Sequence, residues 1–492
     1  MATQPNPALT RDILWYIFTM NADMFMDSKA LTTTRHSSQV CREWRSVLLE
    51  SPSLWGRLLD FDSASSRWSS TWMREILERS GEHSLLWIKA NRVLDGEKVF
   101  IDILARHWSR IQRIVVNVAY HVRFSSIWKP IFTPAPLLEA FKITFKPTDS
   151  LDDDDHPWQS ASQVTLFAED APALREFSAL GYAFNLDAPW LSGLRSVCFG
   201  PPFRMEQVMP VIRSMPRLET LRLEGLYPKK SQRNLPSSIS LAKLETLILE
   251  QVYFEDCSNI LERLEVPSTC AIIVRPCSLI SSHPLKTLIR PFVQVARRSL
   301  LDLSPRGLSL TYDHYRVGLA DASSLGRSLF SFTFELSNVE LTRTLLTQFA
   351  VPELVNVRTM HLNLECHGGS DEENMLRQFY SHCQSVQTVH IDDINLKYLY
   401  PRKDGRTNRT RLVFPSLTSL HINSLTFLQR GGTQYYYLQN FLRSRKRVGR
   451  PIKVLDLTEC TRRRFDVGFL SEMTGLKVLW TDAEGRVFEH QW

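Results

Sequence analysis

A short apolar pattern recurs through most of this chain and restricts its fold more than any other feature. Each copy reads apolar-x-x-apolar-x-apolar, and successive copies are separated by about 20 to 36 residues. Because side chains alternate between the two faces of a strand, the last two apolar residues of a copy face the same side. One such strand cannot bury its apolar face alone, so the spacing predicts a stacked array of similar units. The copies are Ile111/Ile114/Val116, Leu138/Phe141/Ile143, Leu174/Phe177/Ala179, Leu194/Val197/Phe199, Leu218/Leu221/Leu223, Leu244/Leu247/Leu249, Val357/Met360/Leu362, Val386/Val389/Ile391, Leu417/Leu420/Ile422, Ile452/Leu455/Leu457 and a degenerate Leu476/Leu479.

Many copies follow a proline or a small residue, as Pro216 precedes Leu218. This arrangement resembles the irregular leucine-rich repeat, in which each unit adds one strand to a parallel sheet that lines a curved solenoid. The resemblance implies an α/β fold, with the repeat domain over residues 106–492. Helical periodicity between strands predicts helices at residues 339–349, 372–380 and 435–445.

Other stretches follow the repeat less closely. Residues 61–105 are predicted to link two domains, with one helix carrying Trp72 and Ile76 and one strand at residues 85–88. Residues 255–340 match the pattern poorly, and the sequence leaves open whether the solenoid continues through them. Within them, residues 329–336 alternate like a strand, with the phenylalanines on one side. The acidic run at residues 152–155 is predicted to be an exposed loop.

The first sixty residues carry the pattern of short amphipathic helices instead. Thr10 is a suitable N-cap for a first helix that carries Ile13, Leu14, Ile17 and Phe18. We expect a second helix near Leu31 and a third, stopping at Pro52, with Val40, Trp44, Val47 and Leu48 on one face. Three short helices make a small core, so an exposed apolar face that seeks a partner is physically reasonable.

The same residues match a known motif over residues 8–60. Its elements are Leu9-Thr10-Arg11-Asp12-Ile13-Leu14, Val40-Cys41-Arg42-Glu43-Trp44-Arg45 and Ser51-Pro52-Ser53-Leu54-Trp55. In residue type and spacing they resemble the F-box of large fungal families, although Thr10 stands where that family usually has proline. The resemblance implies that these helices dock onto the Skp-type adaptor of a cullin-based ubiquitin ligase, in a helix-in-groove mode.

Ten residues of the motif are the implied adaptor contacts. They are Leu9, Ile13, Leu14, Ile17, Phe18, Val40, Cys41, Trp44, Leu54 and Trp55. The alternative for each of them is a place in the core of a small helical domain, because the apolar stripe of an amphipathic helix is more often core than interface.

The repeat pattern also predicts which side chains face away from the core, onto the concave face. In the last four clear units these side chains are Thr359/His361/Asn363, Thr388/His390/Asp392, Ser419/His421/Asn423 and Val454/Asp456/Thr458. Three histidines therefore share one register on strands about 4.8 Å apart. We expect this column and its polar neighbours, including Asp456, to bind the target protein, that is, the protein that such a ligase would modify. The alternatives are ordinary polar strand positions or a transition-metal site, although ligands in a row do not readily form a tetrahedron.

The N-terminal units present a less uniform set at the equivalent position, namely Lys142, Ser178, Cys198, Arg222 and Ile248. The C-terminal half is therefore predicted to hold the target. Between Arg402 and Arg464 basic residues far outnumber acidic ones, and five of them follow the last predicted helix: Arg443, Arg445, Lys446, Arg447 and Arg450. This basic segment can bind phosphates, acidic protein segments or an importin, or it is a solvated helix end, where cations are favourable.

Composition excludes several other classes of protein. The chain has 492 residues with 59 Lys and Arg against 52 Asp and Glu, and this small excess names no partner by itself. The eight cysteines are scattered without a C-x-x-C pair, which predicts reduced thiols and a cytoplasmic or nuclear protein. No apolar run is long enough to span a bilayer. The common nucleophile, phosphate-loop, dinucleotide and zinc-protease motifs are missing, so we predict no catalysis and no cofactor.

These observations predict the substrate-receptor subunit of an SCF-type (Skp-cullin-F-box) ubiquitin ligase. Residues 8–60 would dock on the adaptor and through it on a cullin, while the repeat domain holds an unidentified target protein. The alternative is a non-catalytic interaction scaffold whose basic C-terminal segment binds acidic protein or nucleic acid.

Overall fold

The chain divides into two compact units, residues 1–236 and 237–492. Both are α/β units in which mostly parallel strands are joined by helices and irregular segments, as in a leucine-rich-repeat solenoid, so the predicted fold class is confirmed. The acidic run at residues 152–155 lies outside the described residues. The computed structural model describes residues 9–62, 69–93, 98–119, 126–146, 164–226, 238–277, 284–322, 329–336, 338–366, 369–403, 410–425, 436–460, 468–482 and 484–491.

The first unit begins with four helices, one more than predicted. They are α1 (Arg11–Asn21), α2 (Ala30–Ser37), α3 (Arg42–Leu49) and α4 (Pro52–Trp55). The additional helix α4 starts at Pro52, a residue suited to the first turn because a backbone N–H there would have no acceptor within the helix. These helices pack around a common core in which each side chain is almost fully buried: Leu14, Phe18, Leu48, Leu54 and Trp55.

The starts of two of these helices differ from the prediction in detail. Thr10 occupies the N-cap of α1, where its carbonyl accepts from the Leu14 amide at 3.0 Å, but its side chain makes no capping hydrogen bond. Helix α3 starts only after Cys41, whose Sγ accepts from the Trp44 amide at 3.4 Å. Val40 therefore lies outside α3 and is 62% exposed, so the prediction that it shares the buried face of that helix is wrong.

The rest of the first unit is a parallel sheet whose strands are ordered as in the chain. Its strands are β1 (Leu59–Asp60), β2 (Leu86–Val93), β3 (Ile111–Ala119), β4 (Ala140–Lys146), β5 (Glu176–Leu180), β6 (Ser196–Phe199) and β7 (Thr220–Glu224). Three further helices are α5 (Ser69–Arg79), α6 (Lys98–His107) and α7 (Met205–Arg213). Helix α5 confirms the helix predicted to carry Trp72 and Ile76, and β2 extends the predicted strand to Val93.

The second unit has more strands than the first, and two short pairs of them, Ile239–Ser240 with Leu264–Glu265 and Arg402–Lys403 with Thr410–Arg411, form sheets separate from the main one. Its strands are β8 (Ile239–Ser240), β9 (Thr246–Glu250), β10 (Leu264–Glu265), β11 (Ala271–Arg275), β12 (Gly307–Tyr312), β13 (Arg316–Asp321), β14 (Ser331–Glu335), β15 (Thr359–Leu364), β16 (Thr388–Ile391), β17 (Arg402–Lys403), β18 (Thr410–Arg411), β19 (Ser419–Ile422), β20 (Val454–Leu457), β21 (Lys477–Thr481) and β22 (Val487–Gln491). Its helices are α8 (Phe254–Arg263), α9 (Leu285–Leu303), α10 (Val339–Gln348), α11 (Ser370–Tyr380) and α12 (Tyr436–Arg447). The last three confirm the predicted helices, although Tyr435 lies outside the described residues.

The sheet continues through the stretch that matches the repeat poorly, but the strand order reverses there. Strand β12 pairs in parallel with β15, and two antiparallel pairings then lead back through β13 to β14. Strand β14 in turn pairs in parallel with β11. Two hairpins therefore fill the sheet between β11 and β15, which explains why the repeat spacing fails there. Within β14, Phe332 and Phe334 are buried as the alternation predicts.

The predicted inward residues of the repeat form the core of both units. In every copy except the last, all three are at most 5% exposed. The last copy is wrong in its final residue: Val478 is buried, whereas Leu479 is partly exposed and lies in register with Asp456. The apolar residue comes one position earlier in this copy, so the alternation turns Leu479 outward.

Candidate functional site

Helix α1 carries apolar side chains on two different faces. Leu14 and Phe18 point into the helical core, where Phe18 meets Trp44 edge to face with ring centroids 5.2 Å apart. Ile13 and Ile17 are exposed, because consecutive residues are rotated by about 100° around a helix axis. One face of α1 therefore holds the fold together, and a second has no such role.

The exposed face of α1 forms a continuous stripe of large apolar side chains. Four of them recur at i, i+3, i+4 and i+7, the spacing of one helix face, and a fifth lies just before the helix. Their exposed fractions range from 36% to 63%. Contiguous apolar patches of this kind mark interaction sites more often than isolated exposed residues do. We call these residues the α1 stripe: Leu9, Ile13, Tyr16, Ile17 and Met20.

The structure sorts the ten predicted adaptor contacts into three groups. Four are core residues that a partner cannot reach in this fold: Leu14, Phe18, Leu54 and Trp55. Trp44 is half-buried against Phe18. The exposed residues are Leu9, Ile13, Ile17, Val40 and Cys41. For the four core residues the prediction of direct contact is wrong, and the alternative interpretation applies.

Two members of the α1 stripe, Tyr16 and Met20, were missing from the predicted contacts. The prediction followed the pairs Ile13/Leu14 and Ile17/Phe18, which mix the inward and outward faces of the helix. Spacing from Ile13 alone reaches Tyr16 at i+3, Ile17 at i+4 and Met20 at i+7. That helical spacing was the sequence signal that could have identified both residues.

The helices are joined firmly to the first strands of their unit. Trp55 donates from Nε1 to the Leu48 carbonyl at 2.8 Å, and the Arg79 guanidinium lies 4.6 Å from the centre of the Trp55 ring. The Lys89 ammonium on β2 donates to the Met24 carbonyl at 3.1 Å and lies 3.8 Å from buried Asp60. Hydrogen bonds, cation–π contacts and ion pairs thus fix the α1 stripe relative to β2.

The three histidines predicted to form a column do so on the second unit. His361 pairs in register with His390, and His390 with His421. Their rings stack with centroids 3.9 and 4.1 Å apart and interplanar angles of 6° and 24°. We call this arrangement the histidine stack. The prediction of a shared register is confirmed, while its use in target binding stays a prediction.

Burial and mutual proximity disfavour charge on two rings of the stack, His361 and His390. Burial, with smaller contributions from His361 and His421, lowers the pKa of His390 to about 4. The pKa of His361 is also lowered, mainly by burial and against the opposing effect of Glu459. At neutral pH the central ring is therefore an uncharged imidazole between two other imidazoles.

One end of the histidine stack is closed by a carboxylate. His421 Nδ1 lies 3.1 Å from Asp456 Oδ2, and the neighbouring Asp456 Oδ1 accepts from the Thr458 hydroxyl at 2.7 Å. Asp456 thereby favours the His421 tautomer with a proton on Nδ1. His421 Nε2 then accepts from the Ser419 hydroxyl, 3.3 Å away. The stack is ordered at this end by hydrogen bonds.

The remaining predicted target-binding residues flank the stack in two further rows. Thr359, Thr388 and Ser419 share one register. Asn363, Asp392 and Asn423 follow the histidines by two residues and are at least partly exposed. Burial raises the pKa of the Asp392 carboxyl. The structure therefore brings all ten predicted residues onto one polar face.

Metal binding by the stack has little geometric support. Parallel stacked rings direct their nitrogen lone pairs side by side rather than toward one point, whereas a tetrahedral ion needs converging ligands. Within the described ranges, no group of three or more His, Cys, Asp or Glu side chains is arranged to hold a metal ion. His367, near the stack in sequence, lies outside those ranges.

The equivalent row in the first unit carries charges that are paired with one another. Lys142, Ser178, Cys198 and Arg222 share the predicted register. Glu176, in the adjacent row, forms ion pairs with Lys142 and with Arg113, the latter at 3.2 Å. Arg222 pairs with Glu224 at 2.8 Å. Cys198 is buried, so its predicted exposure is wrong.

The basic segment at the C-terminal end of α12 is partly structural. Arg445 is fully buried, and its guanidinium donates to the carbonyls of Val413, Phe414, Leu417 and Arg450 at 3.0 to 3.2 Å. Burial and nearby Arg450 lower the pKa of Arg445 to about 10. The prediction that Arg445 belongs to a ligand-binding basic surface is therefore wrong.

Two other cations of the basic segment are tied to one residue of the fold. Arg443 pairs with the Glu472 carboxylate at 2.8 Å. The Lys446 ammonium donates to the Glu472 carbonyl at 2.6 Å. Of the five predicted residues, Arg447 and Arg450 keep exposed side chains with no such contact recorded among the described residues.

Comparisons with known proteins add no relative. No protein-family model matches the chain, and no curated protein matches it. Among the described helices, none combines the length and the apolar character that a membrane span requires.

Proposed function

We propose that this protein is the substrate-receptor subunit of an SCF-type ubiquitin ligase. The single observation that carries the proposal is the α1 stripe, an apolar helix face that the fold leaves exposed. It lies within the residues whose pattern resembles an F-box. A Skp-type adaptor that offers a hydrophobic groove would cover the stripe, in the way an amphipathic helix lies in a groove.

The energetics favour a covered stripe. Complete burial of one Leu, Ile or Met side chain is worth about 1.5 to 3 kcal/mol, before the costs of association are subtracted. The stripe offers four such side chains and the ring of Tyr16, all at least 36% exposed. Leu14, Phe18, Leu54 and Trp55 would contribute indirectly, by holding the helices in place.

The proposed mechanism is proximity. Contacts such as that between Lys89 and the Met24 carbonyl fix the adaptor-binding helices on the first strands of the repeat region. The histidine stack and its polar neighbours would hold the target protein. A receptor of this kind raises the effective concentration of target lysines near the ubiquitin-conjugating enzyme, and its own residues take no covalent part.

The alternative of a basic scaffold finds limited support in the five cations at the end of α12 and just beyond it. Arg445 is buried, and both Arg443 and Lys446 are bound to Glu472. Of these five cations, Arg447 and Arg450 are left for the strong phosphate-dependent binding that a nucleic-acid partner would require.

The test is complex formation between the full chain and a purified Skp-type adaptor, measured by size-exclusion chromatography and calorimetry. We expect a one-to-one complex that resists high salt, because apolar contacts are not screened by ions. An Ile13→Glu, Ile17→Glu variant places two charges in the stripe and should weaken binding at least about a hundredfold.

A Leu137→Glu, Leu301→Glu variant is the matched control, since it changes two exposed apolar residues outside the stripe. It should bind the adaptor like the wild type. If the wild type does not bind, or both variants lose affinity equally, the proposed function is wrong.

A further inference from the structure

The two ends of the histidine stack differ. His421, at one end, is held by Asp456, whereas His361, at the other, faces strand β12. The residue of β12 in register with His361 is Ser309, which is too small to continue the stack. Among the described residues the recorded ring contacts of His361 are with His390, so its outer face carries no stacked ring.

Small side chains continue beyond Ser309 in the same row. The antiparallel hairpins place Ala320 and then Ser331 in register with Ser309. The next row contains Gly318, opposite Thr311. Next to the ring of His361 there is thus a shelf of short side chains, and no large side chain of this row covers the outer face of the imidazole. We call it the Ser309 shelf.

The charges recorded against the histidine stack itself are acidic, and the cation that β13 adds to this face, Arg316, lies 3.9 Å from the Glu335 carboxylate. Glu459 acts on His361, Asp456 binds His421, and Asp392 follows His390. Strand β12 contributes only uncharged outward residues, Ser309 and Thr311. A cation is therefore better suited to this site than an anion, within the described part of the chain.

We propose that the Ser309 shelf binds an arginine side chain of the target protein, with its guanidinium stacked on the outer face of His361. Guanidinium groups are planar and weakly hydrated, and they stack on aromatic faces more readily than ammonium groups do. The arginine would extend the row of rings by one more planar group. The assignment of the arginine to a target protein rests on the proposed function, but the chemistry of the site does not.

Binding of an arginine at this site should depend on the protonation state of His361, against which the guanidinium would stack. Stacking a cation on His361 requires a neutral imidazole, since a charged ring at the same distance would repel it. The pKa of His361 lies below its ordinary value, which keeps the ring neutral at physiological pH. Acidification charges His361 and should release the arginine. The effects of Glu459 and His421 on this ring oppose each other.

The experiment uses the full chain with carbon-13 in the Cε1 position of histidine, observed by NMR. The probe is the peptide acetyl-Gly-Arg-Gly-amide, and the matched peptide replaces arginine by citrulline, which is planar but uncharged. At pH 7.5 we expect a saturable shift of the His361 resonance with the arginine peptide and a several-fold weaker response to citrulline. As the pH is lowered through the titration of His361, followed on the same resonance, the arginine response should weaken in step with protonation of the ring.

Two variants locate the site. Ser309→His fills the shelf with a further ring and should abolish the arginine response, whereas Ser309→Ala leaves the shelf open and should keep it. Unchanged His390 and His421 resonances show that the stack is intact in each variant. An equal response to both peptides, no saturable shift at all, or full binding by Ser309→His would overturn the proposal.

This measurement involves no adaptor, so the site and the proposed function can fail separately. An arginine response without adaptor binding would support the arginine site and contradict the proposed ligase function. Adaptor binding without an arginine response would do the reverse.

Discussion

The outward-facing rows of the two units carry polar side chains in different arrangements. In the first unit the charges of Arg113, Lys142 and Glu176 are paired with one another. In the second unit the equivalent row is three stacked imidazoles, and the lowered pKa values of His361 and His390 disfavour charge on those two rings. Paired charges leave little for a partner to gain, because a new ion pair must replace an old one. Stacked rings keep polar edges that a partner can still use.

Arginine side chains also have different roles in the two units. The second unit holds its polar face on a backbone whose turns are stabilised from inside, since Arg445 binds the carbonyls of residues 413, 414 and 417 just before β19. In the first unit, Arg222 makes its ion pair on the partly exposed face. An arginine therefore supports the buried backbone in the second unit, whereas in the first unit an arginine forms a partly exposed ion pair.

The largest expected effect follows from this contrast. Arg445→Leu removes the donor to three buried carbonyls and to the carbonyl of exposed Arg450, and each unsatisfied buried group costs about 1 to 3 kcal/mol, so the loss of stability should be about 3 kcal/mol or more. Arg222→Leu should cost less than about 1 kcal/mol, because its ion pair is partly exposed. Urea denaturation of both variants measures the difference. Equal losses would show that Arg445 has no special supporting role.

The next effect is a pH dependence confined to the histidine stack. The pKa of His390 is about 4 in the folded protein and near 6.5 when unfolded, so the unfolded chain binds more protons between these values. Stability should therefore be unaffected above pH 6.5 and fall as the pH drops toward 4. Because the ring is half-exposed, solvent screening reduces the loss to the order of 1 to 2 kcal/mol.

The check is urea denaturation across that pH range for the wild type and two variants. His390→Gln should show a smaller acid-induced loss than the wild type. His36→Gln changes an exposed histidine of α2 and should behave like the wild type. If His390→Gln retains the full pH dependence, the stack does not resist protonation.

The smallest effect belongs to the paired row of the first unit. Glu176→Gln removes the partner of Arg113 and Lys142 and should cost at most about 1 kcal/mol. The cost should shrink at high salt, because both pairs are partly exposed. Denaturation of this variant at low and high salt measures it. A large loss of stability that is independent of salt would mean that these ion pairs hold the fold together, rather than only neutralising one another's charge.

Repetition made much of this fold predictable. A copy such as Leu417/Leu420/Ile422 fixes which residues face the core, and the neighbouring copies then place His421 beside His390 without any structural information. The ring stacking itself was not predictable, because register gives the distance between strands but not the side-chain rotamers.

The failures share a physical cause. Between β11 and β15 the chain forms hairpins, so strand order no longer follows chain order, and the contact of His361 with Ser309 could not be read from spacing. In α1 each apolar pair has one residue on the buried face and one on the exposed face, so adjacent Ile13 and Leu14 are exposed and buried, respectively. Arg445 looked like its exposed neighbours, since burial of a cation depends on tertiary carbonyls that no local pattern shows.

The most direct test of the account is hydrogen–deuterium exchange of the full chain with and without a Skp-type adaptor. The account predicts slower amide exchange in α1 and around Val40 when the adaptor is bound, with no change at the histidine stack of the second unit. Unchanged exchange in α1, or protection that appears only in the repeat strands, would contradict the claim that the α1 stripe is the adaptor-binding surface.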